Sequence, residues 1–283
     1  MKRILTRLVL VAALGSLFGA DSAQAFPPAP YHLIYGTARD QYGTPFSAPN
    51  VSVVLETQSG VRLPVTVIPG LGAGVNYQIK VPMDAGLTPD LYQANALLYS
   101  APFKMYVVVG SVTNLPLQTS TNYTLLGKWG ESTRIDLTLG VDSNGDGIPD
   151  AWEYAYLATL GLNLPLSALN RNSSLAHDGR TLAQEFLLGN YPFDPDDQLT
   201  VSIVGMNGNA PIVQFPTMTG RSYTLLGSTD MQHWSLLNFV LPNEDPATTG
   251  HTFFYASGIS TQQVQVILPP DAPKGLFIKL LLQ

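Results

Sequence analysis

Between about residues 30 and 140 apolar and polar positions alternate. In "NVSVVLETQ" (50–58), "LPVTVIP" (63–69) and "NYQIKV" (76–81), apolar or β-branched residues recur at nearly every second place, and Gly, Pro, Asn or Asp closes each run. A period of two marks a strand with one buried face. "HLIYGTARD" (32–40), "KMYVVVGSV" (104–112), "TNYTLLG" (121–127) and "TRIDLTLG" (133–140) read the same way. Seven short strands with frequent turns predict a β-sandwich. The stretch 84–101 breaks the alternation and reads as a long inter-strand loop with room for a short helix. "GLGAG" (70–74) has neither the lysine nor the following helical pattern of a phosphate-binding loop, and reads as a turn.

The period changes after residue 141. "DAWEYAYLATLG" places Trp152, Tyr156 and Leu160 at i, i+4 and i+8, one face of a helix. Asp150 is placed to cap its start, with Glu153 three residues on, and Gly161 suits its end. "TLAQEFLLG" repeats the design, with Thr181 and Gln184 spaced as a capping box. From "LTVSIVG" (199–205) to "GLFIKLLLQ" (275–283) the alternation returns in seven further runs. The expected fold is therefore mainly β: two antiparallel β-sandwich domains, 26–140 and 198–283, joined by a small two-helix segment, 141–197. The pentamer "YTLLG" occurs at 123–127 and again at 223–227, too short a match to establish a repeat.

Residues 1–25 stand apart. Lys2, Arg3 and Arg7 precede an apolar run, Leu8 to Ala20, and Ala23-Gln24-Ala25 ends it with small residues around a polar one. That is the layout of a secretory signal peptide, so a secreted protein, extracellular, periplasmic or at the cell surface, is expected, without membrane insertion after cleavage. Cleavage would remove those three bases and Asp21, leaving 11 basic and 19 acidic residues. An acidic chain with no basic run has no footprint for nucleic acid. There is no cysteine. An exported chain without disulfides is held by its core, by metal, or by both. Thiolate zinc is excluded, and His32, His177, His233 and His251 are scattered singly. Calcium, which takes oxygen ligands, fits this composition.

The acids are concentrated. Residues 141–197 hold 9 of those 19 acids and only Arg171 and Arg180 as bases. Within them "DSNGDGIPDAWE" (142–153) reads as a twelve-residue calcium loop. Asp142, Asn144 and Asp146 take positions 1, 3 and 5, because alternate residues of a tightly wound loop point inward. Gly147 at position 6 permits the sharp turn, the Ile148 carbonyl follows at 7, and Asp150 stands at 9. Glu153 at 12, on the first turn of the helix, can supply two oxygens at once. The alternative is an acidic, solvated turn that caps a helix. Two features separate the loop from a paired EF-hand: a strand enters it in place of a helix, and Pro149 at position 8 has no N–H for a partner loop.

These residues resemble the D-x-D/N-x-D-G-hydrophobic-P-D-x-W-E segments of dockerin-like and thrombospondin type 3 calcium repeats of secreted bacterial proteins. The resemblance implies a second loop downstream. "SLAHDGRTLAQEF" (174–186) supplies Asp178, Gly179 and Glu185 at positions 5, 6 and 12, but has Ser174 and Ala176 at 1 and 3, which weakens it. Asp194, Asp196 and Asp197 are further oxygen donors without a frame. "GTARDQYGTPFSAPNVSVVL" resembles the opening of carboxypeptidase-regulatory-like sandwiches, through Gly36, Asp40, Gly43, Pro45, Val51 and Val53. "GRSYTLLGSTDMQHWSLL" is similar to a fibronectin-type strand pair, through Tyr223, Ser228, Asp230 and Trp234. Together they imply a modular extracellular architecture.

No G-x-S-x-G, H-E-x-x-H or P-loop is present, and the two β parts hold only six and four acids, so no enzyme is expected. The expectation is a binding or adhesion protein, for an extracellular glycan or surface protein, whose calcium loop stiffens the joint between two sandwiches. The alternative is dockerin-like assembly on a protein partner. Trp234 is expected in the last core, with His233 at a strand start. Trp129 is expected between domains; exposed, its indole would suit a sugar ring.

Overall fold

The structure is a computed structural model. It describes residues 29–57, 59–87, 90–91, 95–99, 102–117, 127–176, 179–188, 199–247, 250–268 and 275–283. The leader at 1–25, most of the strand expected at 121–127, and Asp178, Asp194, Asp196 and Asp197 lie outside the described residues.

The chain is mainly β, as the alternation predicts. The first part contains β1 (His32–Gly36), β2 (Ala38–Arg39), β3 (Val51–Thr57), β4 (Arg62–Thr66), β5 (Tyr77–Val81), β6 (Phe103–Val109), β7 (Val112–Asn114), β8 (Ser132–Arg134) and β9 (Leu137–Thr138). One sheet runs β4-β3-β6-β7, another β5-β1-β8, and β2 pairs with β9. Both larger sheets feed one core, in which Val53, Leu55 and Met105 of the first meet Ile34, Tyr77 and Ile79 of the second. In β5 the pattern is strict: Tyr77, Ile79 and Val81 are buried, Gln78 and Lys80 exposed. Each buried side chain of that size contributes roughly 1.5–3 kcal/mol.

Several runs are cut shorter than the alternation implies. "KMYVVVGSV" turns at Gly110, whose φ of +59° suits glycine, and its end returns as β7 with Val109 opposite Val112. "HLIYGTARD" breaks at Thr37, where the Asp136 side chain accepts the Thr37 N–H at 2.9 Å. "TRIDLTLG" likewise splits into β8 and β9, which pair parallel to β1 and β2. In 84–101 no helix is found among the described residues, and Asp84 accepts the Gly86 N–H at 2.7 Å, a turn cap. "GLGAG" is a turn, with Gly70 and Gly74 at positive φ and Gly72 bridged to Val75.

The middle part carries α1 (Asp150–Thr159) and α2 (Leu182–Leu188). They share a small core of their own. In it Trp152 stacks on Tyr156 at 4.9 Å and meets Phe186 edge-on at 5.5 Å. The capping box on α2 forms as its spacing predicts: Thr181 donates its N–H to Gln184 Oε1 at 2.9 Å, and Gln184 returns its N–H to Thr181 Oγ1 at 3.3 Å. On α1 the expectation is corrected. Pro149 is the N-cap and Asp150 the first helical residue. The Asp150 carboxylate instead turns back to the loop, as described below. Gly161, at φ +66°, follows the C-cap Leu160.

The last part contains β10 (Ser202–Asn207), β11 (Ala210–Thr217), β12 (Ser222–Ser228), β13 (Ser235–Leu236), β14 (Phe239–Val240), β15 (Phe254–Tyr255), β16 (Ser260–Val266) and β17 (Phe277–Leu282). One sheet runs β10-β11-β16-β14 and the other gathers β13, β15 and β17 on β12. Their shared core holds Val213, Phe215 and Val264 from one sheet and Tyr223 and Leu225 from the other.

All three parts meet at one turn, and the first and last also touch where Gly70 faces the Tyr255 ring and Gly74 faces Gln283. Residues 40–45 fold back on themselves, the Thr44 carbonyl accepting the Asp40 N–H at 2.9 Å. Gly43 sits at its tip with φ +79°. The Arg221 guanidinium of the last part donates to the Gly43 carbonyl at 2.7 Å. The Phe186 ring of α2 stands 2.9 Å from where a Gly43 Cβ would be. Among the described residues no helix is long and apolar enough to cross a membrane.

Candidate calcium centre

β9 delivers the chain to Gly140, whose φ is +138° and whose missing Cβ leaves room for Pro149, 2.8 Å from its place. The loop is then closed by the Asp150 N–H, which donates to the Val141 carbonyl at 2.7 Å. Inside that closure the backbone winds tightly, with Gly145 and Gly147 at φ +75° and +87°. Side-chain oxygens hold the coil. Asp142 accepts from the Gly145 N–H at 2.7 Å, the Asp146 N–H at 3.2 Å and the Gly147 N–H at 2.8 Å. Asp146 accepts from the Ile148 N–H at 2.9 Å, and Asp150 from the Ser143 N–H at 2.8 Å. Ile148 turns its side chain into the helical core.

Glu153 lies under this coil, 1% exposed. The Asn144 amide nitrogen donates to its two carboxylate oxygens at 3.3 and 3.4 Å, and to the Leu166 carbonyl at 3.2 Å. Burial foremost, then the charges of Asp146, Asp150 and Asp142, push the Glu153 carboxyl up to about 7, against the Asn144 hydrogen bond. Burial likewise raises Asp146, with Asp142 and Asp150 adding to it, while the Ile148 N–H and Arg171 pull the other way. Asp146 Oδ2 is buried and finds no hydrogen-bond partner among the described residues.

The six residues expected as ligands are thus brought to one loop and its first helical turn, but they are not gathered on one point. Among the described residues no three His, Asp or Glu side chains form a group that could hold a metal ion as they stand. Four carboxylates on twelve residues repel one another, and a buried oxygen, Asp146 Oδ2, has no donor among the described residues. A divalent cation offsets both. The donor set, hard oxygen throughout, fits calcium. Asp142, Asn144, Asp146, Asp150 and Glu153 would hold it with side-chain oxygen, and Ile148 with its carbonyl.

Arg171 was not singled out from the sequence. Its guanidinium lies 3.8 Å from where a Gly147 Cβ would be, and it acts on Asp146. The signal was its rarity, as one of two bases in the acidic segment. The other base, Arg180, stands 3.8 Å from Glu185 in the second loop. There Ser174 and Ala176 are exposed, Gly179 has φ +85°, and Glu185 is buried. A fixed cation thus already faces the position-12 glutamate.

Two tryptophans depart from expectation. Trp129 is 39% exposed on a turn, beside Tyr31, whose carbonyl accepts the Gly130 N–H at 3.1 Å and whose ring is also exposed. Trp234 is not in the last core: Lys279 Nζ lies 4.5 Å from its ring centroid, and its indole N–H donates to the Met231 carbonyl at 3.1 Å. Asp230 organises that turn, accepting from the Gln232 and His233 N–H groups, both at 2.8 Å.

Comparison of the chain with protein-family models, with curated proteins and with solved structures finds no match. The likeness to calcium repeats therefore stands on the residues of the loop alone.

Proposed function

We propose that this is a secreted, non-catalytic binding or adhesion protein whose loop 142–153 takes one calcium ion and thereby stiffens the segment between its two β parts. The observation that carries the reading is Asp146 Oδ2, a buried carboxylate oxygen without a donor among the described residues, set among three further acids on a loop already coiled about them. Calcium converts that repulsion into cohesion, and a dissociation constant on the order of 10⁻⁴–10⁻³ M is enough for an extracellular module.

Calorimetric titration of 26–283 with calcium tests this. One equivalent is expected in the parent protein and none in Asp146→Asn. The same substitution should raise the melting temperature in chelator, because it removes a repelled charge and keeps the acceptor for the Ile148 N–H. Absence of binding at millimolar calcium would leave the loop an acidic turn held by its own hydrogen bonds.

As the ligand-binding face we infer the surface around exposed Trp129, whose indole suits stacking on a sugar, with Tyr31, over whose ring Lys80 Nζ stands at 5.2 Å, on the adjoining segment. Retention of Trp129→Ala on polysaccharide columns, equal to that of the parent, would remove this assignment. The second reading, calcium-dependent docking on a protein partner, has its own observation. Tyr154, Leu162, Leu164 and Leu187 of the helical part are exposed apolar side chains. It requires that the full chain capture a partner with calcium and release it in chelator.

A further inference from the structure

The turn at 40–45 joins the three parts, and it does so around two buried arginines. Arg39 is 5% exposed and Arg221 3%. Backbone geometry brings them together. Arg39 bridges Pro45 across the turn, the place of a Gly220 Cβ lies 3.1 Å from the Pro45 carbonyl oxygen, and Arg221 follows with its Nη2 on the Gly43 carbonyl. Arg39 fares worse: its Nε is buried without a hydrogen-bond partner, and no ion pair to either guanidinium is found among the described residues.

The nearby carboxylates act on them only through space, Asp136 on Arg39 and Asp40 on Arg221, because their oxygens are engaged elsewhere. Asp40 spends Oδ1 on the Tyr42 and Thr44 N–H groups, both at 2.9 Å. Asp136 accepts the Thr37 N–H at 2.9 Å and pairs with Arg134 at 3.3 Å. Arg39 and Arg221 together with Asp40 thus leave one positive charge in excess inside a protein that is acidic overall. Burial lowers the proton affinity of both arginines, that of Arg39 against the attraction of Asp136; Arg221 falls to about 10, with Arg39 adding to the burial and Tyr223 and Asp40 opposing it. Guanidinium stays protonated even so, so the charge persists and burying it is costly. Water can accept the orphan N–H but cannot neutralise the charge.

We propose that Arg39 and Arg221 together bind a small oxyanion, of phosphate, sulfate or carboxylate chemistry, as a structural ion at the contact between the first and last β parts. Planar guanidinium groups present paired N–H donors that match two oxygens of such an ion. The site is independent of the calcium loop and of the proposed binding face.

Thermal unfolding of the full mature chain in calcium-free buffer tests it, with phosphate, sulfate or acetate added from 0 to about 10 mM and ionic strength held with chloride. The concentration range limits general salting effects, which act on any protein. A saturable rise of roughly 2–6 °C is expected for at least one of the three ions. The ion that produces it separates a phosphate or sulfate site from a carboxylate site. Arg39→Gln, which keeps a donor and removes the charge, should unfold cooperatively without that rise. If Arg39→Gln does not fold, Arg221→Gln serves, and broadening of the phosphorus resonance of inorganic phosphate, or sulfate displacement of it, reads binding on the parent directly. Two results overturn the proposal: no ion-specific rise beyond the chloride control together with an unbroadened phosphate resonance, or an equal rise in the parent and in a folded charge-deleted variant.

Discussion

At Glu153, burial and three neighbouring acids push in the same direction, so the carboxyl titrates near 7 in the fold and near its ordinary 4.5 when unfolded. The folded state then binds the proton more tightly. Stability from that proton is fully present below about pH 4.5 and is lost as pH rises through about 7. The melting temperature in chelator should accordingly fall between pH 5 and 7.5, by at most about 1.4 kcal/mol of stability per pH unit, whereas millimolar calcium should flatten the profile. Glu153→Gln, melted across the same range, should lose the slope; a slope unchanged in that variant would assign it elsewhere. The identity of this residue as position 12 of a loop was legible in the chain. Its burial was not, because that depends on Leu166 and the helical core folding over it.

The elements show where local pattern suffices. Thr181 and Gln184 exchange the two hydrogen bonds that their spacing predicts, since a capping box involves only residues of one turn. Thr181→Ala should cost about 1 kcal/mol, read as a lower denaturant midpoint with unchanged slope. On α1 the same reasoning places the cap one residue late. Asp150 fits a cap by type, but Pro149 holds the extended N-cap conformation and the Ser143 N–H claims the Asp150 oxygen. Strands behave alike. β5 follows its alternation throughout, whereas "HLIYGTARD" and "TRIDLTLG" are each broken where Asp136 reaches the Thr37 N–H, a pairing between residues 99 apart.

At the scale of the molecule, the turn at Gly43 is where all three parts meet. An alanine there meets the Phe186 ring at 2.9 Å in a left-handed conformation that a Cβ disfavours. Gly43→Ala should cost roughly 1–3 kcal/mol and speed limited proteolysis between the parts, while calcium affinity stays at the parental value. By itself the sequence determined the mainly β character, the two helices and the order of oxygen donors along 142–153, because periodicity, capping and loop spacing are relations among near neighbours. Tertiary structure alone decided that Trp129 is exposed and Trp234 stays outside the last core, that Arg171 stands by the loop, and that Arg39 and Arg221 are buried at one turn. Burial and charge balance at those sites are set by residues distant in the chain, and no local pattern encodes which of them will meet.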